Sequence, residues 1–418
     1  MRRIQKIGIA GAGVFALVVG VSSPAFADYA PSAKDVVGVG SDTVQNIADF
    51  VNDGDPFGDG GGYNSAGNKY KAVSFDATPD ANDRAGYLNL STNTQLLPLN
   101  PTIVLRQGSV PVQRPNGSSA GIAALIADTS ATHKINFVRA SRALKATEET
   151  SYNTATGDKL DTVKISDDPL EIAYSVAGPN PIGTTNPASN IPAGGLTVAQ
   201  LTGIYNCAAG FRTWNQIFGG SASTNNIIPL IPQAGSGTRS TFLTDVLGSS
   251  SATPGTCVQT VEENDPTSIA TAAQPPNVGG VGVTSPANGT LDPADAIVPF
   301  SAGRLALYNG VSGNPGYFHA PGTVFPGAAA SLSPGIALIA GTGTASSNIY
   351  NDIRGLFIIF RNSDLSDPGW QPGTSVNWAQ TLFWGTGSYY GSGLGDPFIQ
   401  AAGGTPDYLQ EPVGFAPN

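Results

Sequence analysis

The chain has 418 residues, with 20 basic against 30 acidic side chains and a formal net charge of −10, although only 12% of its residues are charged. So acidic a polymer repels phosphodiester backbones, which argues against nucleic acid as a partner. Two histidines, with the two cysteines expected to pair with each other, leave no zinc site of standard composition.

The opening "MRRIQKIGIAGAGVFALVVGVSSPAFADYA" joins basic Arg2, Arg3 and Lys6 to an apolar run and then to Ala25-Phe26-Ala27. This is the pattern of a secretory signal peptide over residues 1–27, cleaved after Ala27, and the run is shorter than the ~20 residues that a membrane span needs. No cysteine follows the cleavage site to carry a lipid anchor. Losing three basic residues leaves 17 against 30 acids, a formal charge of −13 on an exported chain.

"DVVGVGSDTVQNIADFV" then reads as a strand at Val36 to Val39, a turn at Gly40 to Thr43, and a helix with Val44, Ile47, Ala48 and Val51 on one face. Residues 53–68 form a polar loop whose Asp53, Asp55 and Asp59 lack EF-hand spacing; a solvated acidic loop is the default reading, with calcium left open. "TIVLRQ" is a strand, "GSSAGIAALIAD" a helix begun by small residues, and "KINFVRASRAL" an alternating segment ahead of a polar turn. Residues 146–168 are polar enough to read as a loop. "LEIAYSVAG" is a further strand, "LTVAQLTGIYNC" an amphipathic helix followed by Trp214, and "NIIPLIPQ" a buried strand. Short apolar runs that hand over to helical patterns are the signature of α/β units. Cys207 and Cys257, in an oxidising compartment, are expected to pair and to close a loop of about 50 residues, which stabilises by roughly 4 kcal/mol. "EENDPT" at 262–267 is by default a polar turn, with contact to a binding cleft left open, and the aromatic tail beyond Ser363 is folded.

Three loops stand out at helix starts: Gly40-Ser41-Asp42-Thr43, Gly117-Ser118-Ser119-Ala120-Gly121 and Gly235-Ser236-Gly237-Thr238. A helix N-terminus offers unpaired N–H groups and about half a positive charge, so a small hydroxylated loop there lets an anion reach the backbone. Each serine or threonine alone is read as readily as a helix cap. Three converging starts would make a donor-rich cage for a small oxyanion, with Arg142 and Arg239 adding charge-assisted bonds or, equally, forming ion pairs elsewhere.

Two other classes compete. Gly117-Ser118-Ser119-Ala120-Gly121 fits the G-x-S-x-G nucleophile elbow of a secreted serine hydrolase. The preceding "VQRPN" is no apolar strand, however, and only His133 and His319 are available as bases. Trp370, Trp378 and Trp384 could form a platform for cell-surface or carbohydrate contact, or simply pack in a core.

The order of "VGVGSDTVQNI", "RPNGSSAGIAAL", "INFVRASRAL", "LTVAQLTGIYNC" with Trp214, and "PQAGSGTRSTF" resembles that of the phosphate-binding proteins of bacterial ABC importers, which are type 2 periplasmic-binding proteins. The resemblance spans about Asp35 to Phe242 and extends to "AIVPFSAGRLALY". It implies an α/β fold of two lobes, with a ligand cleft between them and residues 28–168 and 296–418 forming one lobe around 169–295. It implies ligand contacts at Ser41, Asp42, Thr43, Ser118 or Ser119, Ser236, Gly237 and Thr238. It also implies a monomeric, non-enzymatic carrier of phosphate or a similar oxyanion, without cofactor or metal, that serves a membrane permease. Two positions depart from the pattern. Arg142 stands where the family has a carboxylate that accepts a proton from the ligand, and Pro232 stands where it has an arginine. A rearranged charge set, with Arg142 and Arg239 as cations and Asp42 as acceptor, would compensate. A carboxylate beside the anion favours a protonated oxyanion such as phosphate over sulfate.

Overall fold

The computed structural model describes residues 30–55, 57, 60–68, 70–77, 88–89, 94–95, 102–129, 133–179, 185–192, 195–273, 290–309, 335–339, 350–366 and 377–411. The expected signal segment, Asp59, His319 and Trp370 lie outside them. Ten strands make one mixed sheet. Its first wing holds β1 (Val36–Gly40), β2 (Ala72–Ser74) and β3 (Phe137–Ala140), all parallel. Two long strands follow in space, β4 (Leu160–Ser175) and its antiparallel neighbour β9 (Asp352–Arg361). The second wing holds β5 (Ile228–Pro232), β6 (Gln259–Val261) and β7 (Ala296–Ser301), again mutually parallel. The order is β6-β5-β7-β4-β9-β3-β1-β2, with β8 (Ile336–Leu338) and β10 (Thr405–Glu411) pairing onto β4.

β4 is the strand that crosses from one wing to the other. Residues 160–170 pair with β9, and residues 170–174 pair with β7. The 168/169 lobe boundary expected from the sequence therefore falls inside one continuous strand. Residues 146–168, read as a loop, are in fact helix α3 (Ala146–Thr156) and the first half of β4.

Strand alternation sorts the core into layers. Val36, Ile228 and Leu230 point into a cluster that runs beneath both wings and includes Phe50, Phe300, Phe360, Trp378 and Phe383. Trp378 is thus core packing, 3% exposed, and no surface platform. On the opposite face the two wings have separate cores. Val37, Val39 and Val138 meet Ile122 and Leu125 of α2 (Ser118–Ala127), whereas Ile231 meets Trp214, Leu201 and Phe242. The helices α1 (Gln45–Asp53), α4 (Val198–Tyr205), α5 (Trp214–Phe218), α6 (Gly237–Leu247), α7 (Thr267–Ala270) and α8 (Ala302–Asn309) cover these layers. Cys207 and Cys257 form a disulfide with Cα atoms 5.9 Å apart, joining the end of α4 to the approach of β6.

Candidate functional site

Parallel strands that end side by side leave a crevice beyond their C-terminal ends, where the chain turns into helices whose N–H groups face inward. Here those ends belong to β1, β3, β5 and β6, and the crevice lies between the two separate apolar cores. It is filled with buried polar side chains: Ser41, Thr43, Ser118, Ser141, Thr238 and Glu263 are each at most 3% exposed.

The glycine-bordered loops converge by backbone contact. Gly117 has φ +91°, and an added Cβ there would strike the Gly235 carbonyl. Only glycine permits both the turn and the approach. The Ser119 N–H then donates to Gly235 O at 2.9 Å, tying the start of α2 to that of α6. Across the crevice Thr43 Oγ1 lies 3.4 Å from Thr238 Oγ1. The Ser141 N–H donates to Ser118 Oγ at 2.9 Å. Arg139, wholly buried, fixes the first loop by donating to the carbonyl oxygens of Ser41 (3.2 Å) and Gly40 (3.3 Å).

One atom collects three donors. Glu263 Oε1 accepts from Thr43 Oγ1 at 3.0 Å, from Thr238 Oγ1 at 2.5 Å and from the Thr238 N–H at 3.3 Å. Thr43 Oγ1 in turn accepts from Asn264 Nδ2 at 3.0 Å, and Thr238 Oγ1 accepts from Arg354 Nη1 at 2.7 Å. Arg354 is paired with Asp168 at 2.8 Å, and Arg304 faces Asp42 at 3.4 Å. Two guanidinium groups thus meet three carboxylates. Burial and the nearby Asp42 carboxylate push the Glu263 carboxyl upward in pKa, opposed by the Thr238 hydrogen bond, the Arg354 charge and the Thr43 hydrogen bond.

The residues expected from the sequence distribute as follows. Ser41, Asp42, Thr43, Ser118, Gly237 and Thr238 lie in or border the buried cluster. Ser236 caps α6, accepting from the Arg239 N–H at 3.0 Å. Arg142 is held elsewhere, in an ion pair with Glu148 at 2.6 Å, and it donates to Ser119 Oγ at 2.8 Å. Arg239 donates to the Pro232 carbonyl at 2.8 Å. With Ser119, Lys145, Gly235 and Ser236 it lines a surface cavity of about 320 Å³. Asp42 is engaged by Asn264 and Arg304. Sequence reasoning missed Ser141, Asp168, Arg304 and Arg354 as site residues, and it reached Glu263 and Asn264 only as part of a polar turn at 262–267 with cleft contact left open. The signal was present for Arg354, an arginine inside the apolar strand "DIRGLFIIF".

No triad assembles on Ser119 among the described residues. Its hydroxyl is bonded to Arg142, and His133 Nδ1 lies 3.7 Å from Asp364. Nor is there, among the described residues, a group of three side chains that could hold a metal ion, or a helix long and apolar enough to cross a membrane.

The profile of the PBP superfamily domain matches residues 77–300, more than half of the chain. A comparison with curated proteins returns no match. Among solved structures, a putative phosphate ABC transporter substrate-binding protein from Clostridium perfringens, with bound phosphate, aligns at 14% identity and a TM-score of 0.47, over 89% of this chain and 99% of that one. An ABC-type phosphate transport receptor from Vibrio cholerae aligns at 16% identity and a TM-score of 0.40, over 79% and 88% of the two chains. A human phosphate binding apolipoprotein aligns at 15% identity and a TM-score of 0.43, over 89% and 91%.

Proposed function

The chain belongs to the PBP superfamily, and from that premise we propose that it is an exported solute-binding protein that captures a small oxyanion, phosphate first among them, for an ABC importer. The observation that carries this reading is the convergence of three hydroxyl-bearing helix approaches on one buried crevice that also holds two guanidinium groups. Backbone N–H groups at helix starts, hydroxyls and arginine are the donors that a tetrahedral anion requires, and burial strengthens each bond. The residues proposed to contact the anion are Ser41, Thr43, Ser118, Ser141, Thr238 and Arg354. Pro232 has no charge to offer, and Arg354 brings a guanidinium to Thr238 instead.

In this reading the lobe of residues 28–168 and 296–418 moves against 169–295, except that β7 at 296–301 travels with the second wing to which it is paired, and β4 and β9 flex between the two. Capture needs no bond to be made or broken. Delivery follows from reopening of the crevice at a membrane permease.

Titration calorimetry of the chain from Asp28 onward, freed of bound anion, tests the reading with phosphate and then with sulfate. Micromolar or tighter phosphate binding is expected, weakened at least about tenfold by Thr238→Val, which removes a charge-assisted donor worth ~1.5–3 kcal/mol. Absence of heat with both anions would refute the proposal.

A further inference from the structure

Two of the residues that an oxyanion would need as donors, Thr43 and Thr238, are already engaged by a carboxylate of the chain. Glu263 Oε1 takes the Thr43 hydroxyl, the Thr238 hydroxyl and the Thr238 N–H, while Oε2, also buried, has no hydrogen-bond partner among the described residues. A carboxylate oxygen with two hydroxyl donors and a helix-start N–H has the surroundings of a bound anion. The arrangement is anchored from behind, because the Glu263 N–H donates to Gln233 Oε1 at 2.9 Å and Asn264 is tied to Asp42, Thr43 and the Ser301 N–H.

We propose, resting on the function above, that Glu263 is a built-in competitor of the anion: an oxyanion gains Thr43 and Thr238 only when the Glu263 carboxylate is neutralised or displaced from them. The charge balance favours this. Around Glu263 stand Asp42 on the first loop, Arg304 on α8, Arg354 on β9 and Asp168 on β4, and the two arginines are already matched to the two aspartates, while Arg139 on β3, behind the first loop, faces Asp49, Asp76 and Asp42. Glu263 is therefore surplus to the two matched pairs, and an incoming anion meets its negative charge. Burial and Asp42 raise the carboxyl's proton affinity, so acid removes the competitor at a pH above the ordinary glutamate range. Anion affinity should then fall as the pH rises through the titration of Glu263.

Glu263→Gln is the test, because the amide oxygen can still accept from the two hydroxyls while the charge is gone. Phosphate affinity is measured for both proteins at pH 5 and pH 8, and the ratio at each pH cancels the ionisation of phosphate itself. Removing a like charge within a few ångströms should tighten binding at least about tenfold at pH 8, and by clearly less at pH 5. A ratio of one at both values, or weaker binding by the variant, would overturn the competitor while leaving oxyanion capture intact. No binding by either protein would overturn both. If the variant fails to fold, the carboxyl ¹³C resonance of Glu263 in the wild-type protein decides: addition of phosphate at pH 7 should move it towards the protonated position or a new environment, and an unchanged resonance overturns the proposal.

Discussion

Gly237→Ala separates the fold of the crevice from ordinary helix chemistry. Gly237 opens α6, and replacing a helical glycine by alanine normally stabilises, by up to ~1 kcal/mol through helix propensity and reduced freedom of the unfolded chain. At this position an added Cβ would sit well inside van der Waals contact of both Ser118 Oγ and Ser141 Oγ, and 3.2 Å from the Ser141 carbonyl carbon. The hydroxyls cannot simply rotate away. Ser118 Oγ holds the buried Ser141 N–H at 2.9 Å and lies 3.3 Å from Ser141 Oγ. Freeing that N–H costs ~1–3 kcal/mol, and overpacking without the rotation costs a similar amount. Either route exceeds the propensity gain, so a net loss of about 1–2 kcal/mol is expected, read as a drop of a few degrees in calorimetric Tm, together with weakened phosphate binding. An unchanged or raised Tm would show that the starts of α2 and α6 are not packed as described.

Two further substitutions probe the second wing. Replacing Cys207 and Cys257 together by Ala releases a loop spanning 50 residues, which should cost about 4 kcal/mol in chemical denaturation; a loss near zero would mean that the unfolded chain is already restrained there. Asp295→Asn targets a buried carboxylate whose Oδ1 accepts from Trp214 Nε1 at 2.6 Å and Asn190 Nδ2 at 2.7 Å, and whose Oδ2 accepts from Asn225 Nδ2 at 2.8 Å. An amide must turn its NH₂ towards at least one of these donors, so a loss of ~1–3 kcal/mol with altered Trp214 fluorescence is expected, and an unaltered melt would refute the arrangement.

How far the fold was legible depended on where each element's partners lie. β1, α1, β5 and α6 declared themselves because their apolar periodicity faces a core on a regular repeat and glycine marks the turns. α3 did not, since Tyr152 is its one buried side chain and a helix lying on the surface carries no apolar stripe. β4 was hidden for a different reason. Its Asp161, Lys164 and Asp168 give the first half a loop-like composition, yet they reach Asn362, Asp407 and Arg354, each about 200 residues away along the chain, and only Lys164 also pairs locally, with Asp167. A strand that crosses between wings carries polar groups that a single-faced strand would not.

The same distinction divides the site. Hydroxyls at helix starts were readable because an N-terminus and its loop form a local unit, and Ser41, Thr43, Ser118 and Thr238 follow from it. The charges were not, because proximity along the chain proved the wrong guide. Arg142 and Arg239 sit beside the loops, and each is satisfied close by, by Glu148 six residues on and by the Pro232 carbonyl seven residues back. Arg304 and Arg354 engage groups 262 and 116 residues away, at Asp42 and Thr238. An arginine with an acid or a free carbonyl within a turn or two can spend its charge locally, whereas one inside an apolar strand cannot remain unpaired in the core and must reach a distant buried group. By that criterion "DIRGLFIIF" pointed more directly to the crevice than the arginines next to its glycines.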